Sequence, residues 1–267
     1  MMAEAAGEAM GSEAPFDRRL RRQARGRALP HLARHDFLLR HVACELAQRE
    51  ACLPPLPDGP VLHIGALAPV WEDLRPVIVA DPCRRALAGR GLAVQCDEDR
   101  LPFARGAFAL VRSVLVLHGV NDVPGSLRLT REMLKPGGWF LGALLGGVAL
   151  AEVRRAFVEA DLAAGGGVAV RVGPAIDPDA APALLQRAGF ADPVVDVERV
   201  TARYRSLADL ARDARGMGET GFLAGRSRRP TGRARWAAAE AAFAQAREAD
   251  GKVPVSAQIL YLSARRA

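Results

Sequence analysis

Two short apolar runs in the first third of the chain each end in a residue that suits a nucleotide-binding turn. The first run, Val61–Ile64, meets Gly65, and the second, residues 77–80, meets Asp81. In a Rossmann-type βαβ unit the turn after the first strand approaches the cofactor, and the acid after the second strand accepts hydrogen bonds from ribose hydroxyls. The pattern therefore predicts a parallel sheet with a nucleotide-type site at its carboxyl edge.

A strand–helix alternation continues beyond these two runs. The further strand-like runs are residues 93–96, 109–115 and 139–145, and the helical segments are residues 123–134, 150–162 and 180–188. Two later segments, 194–204 and 255–263, alternate in polarity, are rich in β-branched residues, and favour an antiparallel pair. The predicted class is α/β: a Rossmann-like sheet of five parallel strands plus an antiparallel edge pair, with N-terminal helices and a helical lid insertion.

Changes of composition predict how the chain is organised. Residues 1–15, rich in Ala, Gly and Glu, are expected to be a disordered tail. Residues 16–56 are expected to form a helical cap that a proline-rich run ends, and residues 57–205 the α/β core. Residues 206–251 show two helical patterns around a Gly/Arg-rich connection, a candidate lid, and residues 252–267 are expected to be the final edge strand of the core.

The positive charge of the chain is almost entirely arginine. The net charge is +7, and lysine occurs only at Lys135 and Lys252. Residues 18–27 and 226–235 form two basic clusters. Such clusters either hold acidic protein surfaces, membrane headgroups or phosphates, or are solvated faces. No aromatic residues interleave with these arginines, so no nucleic-acid partner is expected.

The sequence predicts neither a membrane span nor a metal site. No apolar run approaches the 18 residues of a transmembrane candidate, and the acidic start does not resemble a secretory signal. We expect a cytoplasmic bacterial protein, or one held at the inner face of the membrane by its basic clusters. The four cysteines form no C-x-x-C pair, and His31 and His35 lack an H-E-x-x-H context, so no metal ligands are assigned.

Several motifs resemble those of the class I S-adenosylmethionine-dependent methyltransferases. Residues 97–103 (DEDRLPF) are similar to their D-x-x-x-L-P-F signature, residues 108–122 to F-D-L-V…L-H-W-V-N-D, and residues 134–138 match L-K-P-G-G. Other stretches resemble one subgroup, the methyltransferase-fold complex I assembly factors linked to arginine hydroxylation, and the chain is also similar to the biotin-pathway malonyl-carrier-protein methyltransferases. The subgroup stretches are residues 16–18, 36–38, 142–147, 187–190, 216–219 and 250–254.

The resemblance implies S-adenosyl-L-methionine as cofactor and assigns its adenosine half to the acids after the second and third strands. Asp81 would accept hydrogen bonds from the ribose hydroxyls, or it caps the following helix instead. Asp97, beside Glu98, would accept from the adenine amino group, or it belongs to a solvated acidic turn. Pro82 would lie against the adenine face.

The methionine half is assigned to the turn after the first strand and the end of the fourth. Gly65 would allow close approach of the backbone, and Ser113 and Val114 would line the methionine end. His118, at the mouth, is a weak candidate for a catalytic base or else a structural group. No acid partner for His118 can be assigned from the sequence.

Departures from the family pattern concentrate on this methionine half. His63 stands where the family has an acid, and Leu67 and Pro69 stand where it has glycines. Ala109 and Gly119 replace an aspartate and a tryptophan. The helix after the loop is shortened to residues 70–74. Losing several contacts of about 1–2 kcal/mol each would weaken or abolish cofactor binding.

Three functions follow as hypotheses. The first is an S-adenosylmethionine-dependent enzyme that modifies a protein side chain, an arginine of a respiratory complex I subunit. The second is a degenerate member of the family that acts as a non-catalytic binding or assembly factor. The third is methyl transfer to a small molecule or carrier protein, which rests on fold-level analogy. A Leu67 side chain that fills the methionine pocket would favour the second; the sequence does not separate methyl transfer from hydroxylation.

Overall fold

The computed structural model describes residues 14–71, 73–165, 167–227 and 229–267, and it is built on one seven-stranded sheet. Most of the predicted tail, residues 1–13, lies outside the described residues. The strands are β1 (Val61–Ile64), β2 (Val77–Asp81), β3 (Leu92–Gln95), β4 (Phe108–Val114), β5 (Leu134–Leu145), β6 (Ala191–Tyr204) and β7 (Val253–Arg265). Their order across the sheet is β3-β2-β1-β4-β5-β7-β6.

The strand directions confirm the predicted fold class. β1 to β5 run parallel, whereas β7 pairs antiparallel with both β5 and β6. The final strand is not the edge strand, contrary to the prediction for residues 252–267, because β7 lies between β5 and β6. Ile259, Leu260, Tyr261 and Leu262 are consecutive buried residues of β7 and need cover on both faces, while β6 alternates between exposed and half-buried positions.

Seven α-helices surround the sheet in the described part of the chain. They are α1 (Arg18–Ala28), α2 (Phe37–Ala51), α3 (Val123–Met133), α4 (Ala151–Ala164), α5 (Ala181–Arg187), α6 (Leu207–Gly216) and α7 (Arg233–Ala244). Asp17 caps α1 by accepting a hydrogen bond from the Leu20 N–H at 3.0 Å. A short 3₁₀ turn, Leu29–Arg34, joins α1 to α2. α6 and α7 lie in the segment predicted to be a helical lid, whose closure stays a prediction.

Apolar side chains form clusters on each face of the sheet. On one face Leu38, Val42 and Leu46 of α2 pack against Val61 and Leu110. A separate cluster between α4, α6 and α7 holds the helical insertion against β7. Fully burying one such side chain contributes about 1.5–3 kcal/mol, so these clusters hold the helices against the sheet whose carboxyl edge forms the site.

The predicted helix at residues 70–74 is wrong, because the described residues of this segment are irregular. The segment lies between Pro69 and Pro76. Its polar groups accept hydrogen bonds from the buried guanidinium of Arg112 and do not form a helix. Arg112 donates to the Asp73 carboxylate at 2.8 Å and to the Trp71 carbonyl oxygen at 3.3 Å. Residues 134–138, which match L-K-P-G-G, lie within β5, where the register against β4 shifts.

Within the described ranges, no helix is both long and apolar enough to cross a membrane. The same residues contain no cluster of His, Cys, Asp or Glu suited to a metal ion. All four cysteines are free thiols.

Candidate cofactor site

The carboxyl edge of the parallel strands brings together the residues predicted from the sequence. Gly65 follows β1, Asp81 ends β2, and Ser113 and Val114 end β4. Gly65 has a φ of +110°, and a Cβ there would lie 2.6 Å from the Val114 carbonyl oxygen. Only glycine satisfies both conditions, so this position preserves the close approach of β1 to β4.

Helix α1 crosses this edge and pairs with its acids. Arg18, Arg21, Arg22 and Arg25 have the i, i+3, i+4, i+7 spacing of one helix face. Each forms an ion pair with a different carboxylate. Three of these carboxylates belong to the predicted adenosine site, and the fourth is that of neighbouring Asp99. The pairs are Arg18 with Asp99 at 2.5 Å, Arg21 with Glu98 at 2.7 Å, Arg22 with Asp97 at 2.6 Å, and Arg25 with Asp81 at 2.5 Å. The helix therefore neutralises every acid assigned to adenosine.

The Arg25–Asp81 pair is the most enclosed of the four. The side chains are 2% and 0% exposed. Arg25 donates from Nε to Asp81 Oδ1 at 3.2 Å and from Nη2 to Oδ2 at 2.5 Å. Burial alone lowers the pKa of Arg25, but the Asp81 carboxylate outweighs burial and raises that pKa above its usual value. Arg25 is therefore charged in the folded protein.

The Asp81 carboxylate has no acceptor left for a ribose. Besides the two bonds from Arg25, its oxygens accept the backbone N–H of Ala66 at 2.9 Å and of Cys83 at 2.8 Å. Beside the other two predicted acids, Asp97 and Glu98, Pro82 lines a cavity of only about 10 Å³. That volume is room for about one water molecule. In this conformation the residues do not fit the adenosine of S-adenosylmethionine.

Leu67 fills the space where the family has its second glycine. Its side chain is 4% exposed and belongs to an apolar cluster with Leu115 and Met217. A Cβ on Gly218 would lie 3.4 Å from Leu67 Cδ1 and 3.0 Å from the Cα of Arg25. The loop, α1 and the Gly218 turn therefore pack together at the end of the site that the resemblance assigns to the methionine.

Gly119 leaves room for Arg21. A Cβ on Gly119 would lie 2.7 Å from Arg21 Nε and 3.1 Å from its Cζ. Arg21 also donates to the Val116 carbonyl oxygen at 2.9 Å. Glycine at this position, where the family has tryptophan, therefore leaves the space that Arg21 occupies when α1 docks.

His63, at the position of the family's acid, is neutral. It is fully buried, and burial, followed by Arg112 and Arg90, lowers its pKa to about 3. Its ring meets the edge of Trp71 with the centroids 5.4 Å apart. An uncharged ring in this place does not supply the anion that would hold an amino group of a cofactor.

His118 has an acid partner that the sequence did not reveal. Its Nε2 lies 3.0 Å from Glu219 Oε2, and the backbone N–H of Leu145 donates to Nδ1 at 3.4 Å. These contacts assign the proton to Nε2, which donates to Glu219. Burial raises the pKa of Glu219, but His118 and Arg25 together lower it below its usual value. The two residues are 101 positions apart, so only the fold brings them together.

The His118–Glu219 pair lies where two apolar cavities meet. The larger, about 240 Å³, is lined by Phe16, Phe157 and Trp236 among others. The smaller, about 80 Å³, is lined by side chains that include Leu115. Leu115 has a φ of +48°, an unusual conformation for a branched side chain, of the kind that clusters at functional sites.

Comparisons with known proteins place the chain among methyltransferases. Residues 70–142 match the model of the methyltransferase domain. The human arginine-hydroxylase NDUFAF5, mitochondrial, is 32% identical over 260 residues, which is 92% of this chain and 75% of that protein. Its Danio rerio counterpart is 37% identical over 63% of this chain and 53% of its own length, so that match spans about half of the relative.

Bacterial proteins and solved structures give the same assignment. The malonyl-[acyl-carrier protein] O-methyltransferase of Laribacter hongkongensis is 36% identical over 66% of this chain and 58% of its own length. The YcgJ protein from Bacillus subtilis (TM-score 0.55, 14% identity) covers 84% of this chain with 98% of its own. A SAM-dependent methyltransferase from Thermotoga maritima (TM-score 0.50, 13% identity) covers 92% with 99% of its own. The fold is that of class I methyltransferases, and S-adenosyl-L-methionine is the cofactor that family and fold indicate.

Proposed function

Because this chain belongs to the methyltransferase family that includes the arginine-hydroxylase NDUFAF5, we propose that it serves the assembly of respiratory complex I by binding a protein partner, with its own cofactor site held closed by α1. The observation that carries the proposal is the buried Arg25–Asp81 pair. Leu67 in the methionine end and neutral His63 add to it. Family membership supports the assembly role, and the closed site supports the non-catalytic mode.

The ion pair makes cofactor binding weak for an energetic reason. A ribose reaches Asp81 only if Arg25 leaves it. Removing one partner of a buried pair costs about 3–5 kcal/mol. Since each 1.4 kcal/mol is a factor of about ten, this penalty lowers affinity for S-adenosylmethionine by about two to three and a half orders of magnitude.

The second candidate is modification of a protein side chain with S-adenosylmethionine as cofactor. The His118–Glu219 pair beside the larger cavity favours it, because interacting titratable groups that line an apolar cavity are typical of an active site. This function requires α1 to move away so that Asp81, Asp97 and Glu98 become free acceptors. Methyl transfer to a carrier protein remains the third hypothesis, supported by the malonyl-[acyl-carrier protein] O-methyltransferase relatives, of which the Laribacter protein is one.

Complementation of a deletion strain separates the first two functions. The informative variant is Arg25→Gln/Asp81→Asn, which removes both buried charges together and deletes the anionic ribose acceptor. Partner binding predicts that this variant restores complex I assembly as well as the wild type does. A cofactor-dependent reaction predicts failure, together with loss of a side-chain modification that mass spectrometry of the complex I subunits detects.

The matched control is Arg155→Gln/Glu159→Gln, which removes both charges of an exposed ion pair outside the cofactor site. If the protein acts by binding a partner, the control variant restores complex I assembly as well. Restoration by the control and failure of the Arg25/Asp81 variant, with both proteins folded by circular dichroism, would overturn the proposal.

A further inference from the structure

A basic cleft lies between the N-terminal helical segment and α6, outside the site just described. Its volume is about 610 Å³, within the range of small-molecule sites. Arginines from several separate segments converge on it. The basic residues lining it include Arg27, Arg34, Arg212, Arg215, Arg226 and His31. None of the acids that pair with α1 lines this cleft.

The charges in the cleft are largely uncompensated. Arg212 pairs with Asp209 at 2.6 Å on the exposed face of α6. Among the residues that the structure describes, Arg27, Arg34, Arg215 and Arg226 form no ion pair. Five guanidinium groups in one concave site repel one another unless an anion lies between them. On another part of α1, in contrast, each of Arg18, Arg21, Arg22 and Arg25 has a carboxylate partner.

We propose that this cleft binds a phosphate-bearing anion. Guanidinium groups present paired N–H donors that match phosphate oxygens, and arginine, unlike histidine, stays charged at every physiological pH. A concave site of this volume accepts a compact group with more than one phosphate. The same chemistry belongs to a soluble diphosphate and to a phospholipid headgroup, so the experiment includes both sources.

Two binding measurements on the intact protein test the cleft. The first is calorimetric titration with inorganic pyrophosphate, and the second is co-sedimentation with phosphatidylglycerol vesicles against phosphatidylcholine vesicles. The cleft variant is Arg27→Gln/Arg215→Gln. The matched control, Arg105→Gln/Arg155→Gln, removes two exposed arginines elsewhere and changes the net charge equally. We expect the cleft variant to bind at least about tenfold more weakly and the control to bind like the wild type.

Which probe binds identifies the source. Binding of pyrophosphate indicates a soluble ligand, and binding of the anionic vesicles without pyrophosphate indicates a headgroup. Equal loss in both variants would show that only overall charge matters, and absence of binding to both probes at low salt would also overturn the proposal. A thermal melt without anion adds an independent readout: relief of repulsion predicts a higher Tm for the cleft variant than for the control.

Discussion

Arg25 and Asp81 form a two-point ion pair that is shielded from solvent, at the position that the sequence pattern assigns to the ribose of the cofactor. Asp81 ends β2, and Arg25 reaches it from α1 across 56 positions of sequence. The pair ties the N-terminal helix to the cofactor edge of the sheet. Breaking it therefore tests both stability and function.

Removing the charge of Arg25 alone should strongly destabilise the fold. Arg25→Ala leaves the buried Asp81 carboxylate without its cation, and we expect a loss of about 3–5 kcal/mol in the free energy of unfolding. Arg22→Ala, at the exposed neighbouring pair, should cost less than about 1 kcal/mol. Urea denaturation at neutral pH measures both. Equal small losses would show that the Arg25–Asp81 contact does not hold α1.

A side chain at Gly119 should loosen α1. Its Cβ would lie 2.7 Å from Arg21 Nε, so the guanidinium would have to move and stretch its hydrogen bonds to Glu98 and the Val116 carbonyl oxygen. We expect Gly119→Ala to speed amide hydrogen exchange in α1 while exchange in β4 and β5 stays slow. Gly91→Ala is the control, since a Cβ there meets nothing within 4 Å. Unchanged exchange in α1 would contradict the packing described for Arg21.

Buried His63 should make the protein less stable in acid. Its pKa is about 3 in the folded state and 6.5 when unperturbed, so between these values the unfolded chain binds a proton that the folded protein does not. Its contribution is therefore constant above about pH 6.5 and falls as the pH drops toward 3, by up to about 1.4 kcal/mol per pH unit. Denaturation from pH 7 to 4 should show a shallower slope for His63→Phe than for the wild type. An identical slope would contradict a neutral His63.

Restoring the family's glycine at Leu67 should not restore cofactor binding. Leu67→Gly leaves a cavity in the cluster with Leu115 and Met217 and should cost about 2–5 kcal/mol, the range for deleting a buried leucine side chain. S-adenosylmethionine should still fail to bind in calorimetry because Arg25 remains on Asp81. Tight binding by this variant would show that the loop, rather than α1, closes the site.

The parallel strands were predictable because short apolar runs that end at Gly65 and Asp81 are local signals for buried strands. The irregular segment after Pro69 was not predictable, since its conformation depends on Arg112 from β4 and Glu50 from α2. The place of β7 inside the sheet also required the tertiary pairing with β5.

The site was predictable only in part, because it too depends on contacts between segments that are distant in the sequence. The acids at positions 81, 97 and 98 follow strands, and the sequence pattern locates them. The helical spacing of the α1 arginines was equally visible, but nothing local indicates which carboxylates they meet. The partner of His118 is more distant still, because Glu219 follows α6 in the helical insertion.

Calorimetric titration of the intact chain with S-adenosyl-L-methionine tests most directly whether α1 closes the cofactor site. Because Arg25 must leave Asp81 before a ribose can bind, we predict no saturable heat up to ligand concentrations on the order of hundreds of micromolar. The Arg21→Gln/Arg25→Gln variant should bind more tightly than the wild type. Low-micromolar binding by the wild type that Asp81→Ala abolishes would contradict a closed site.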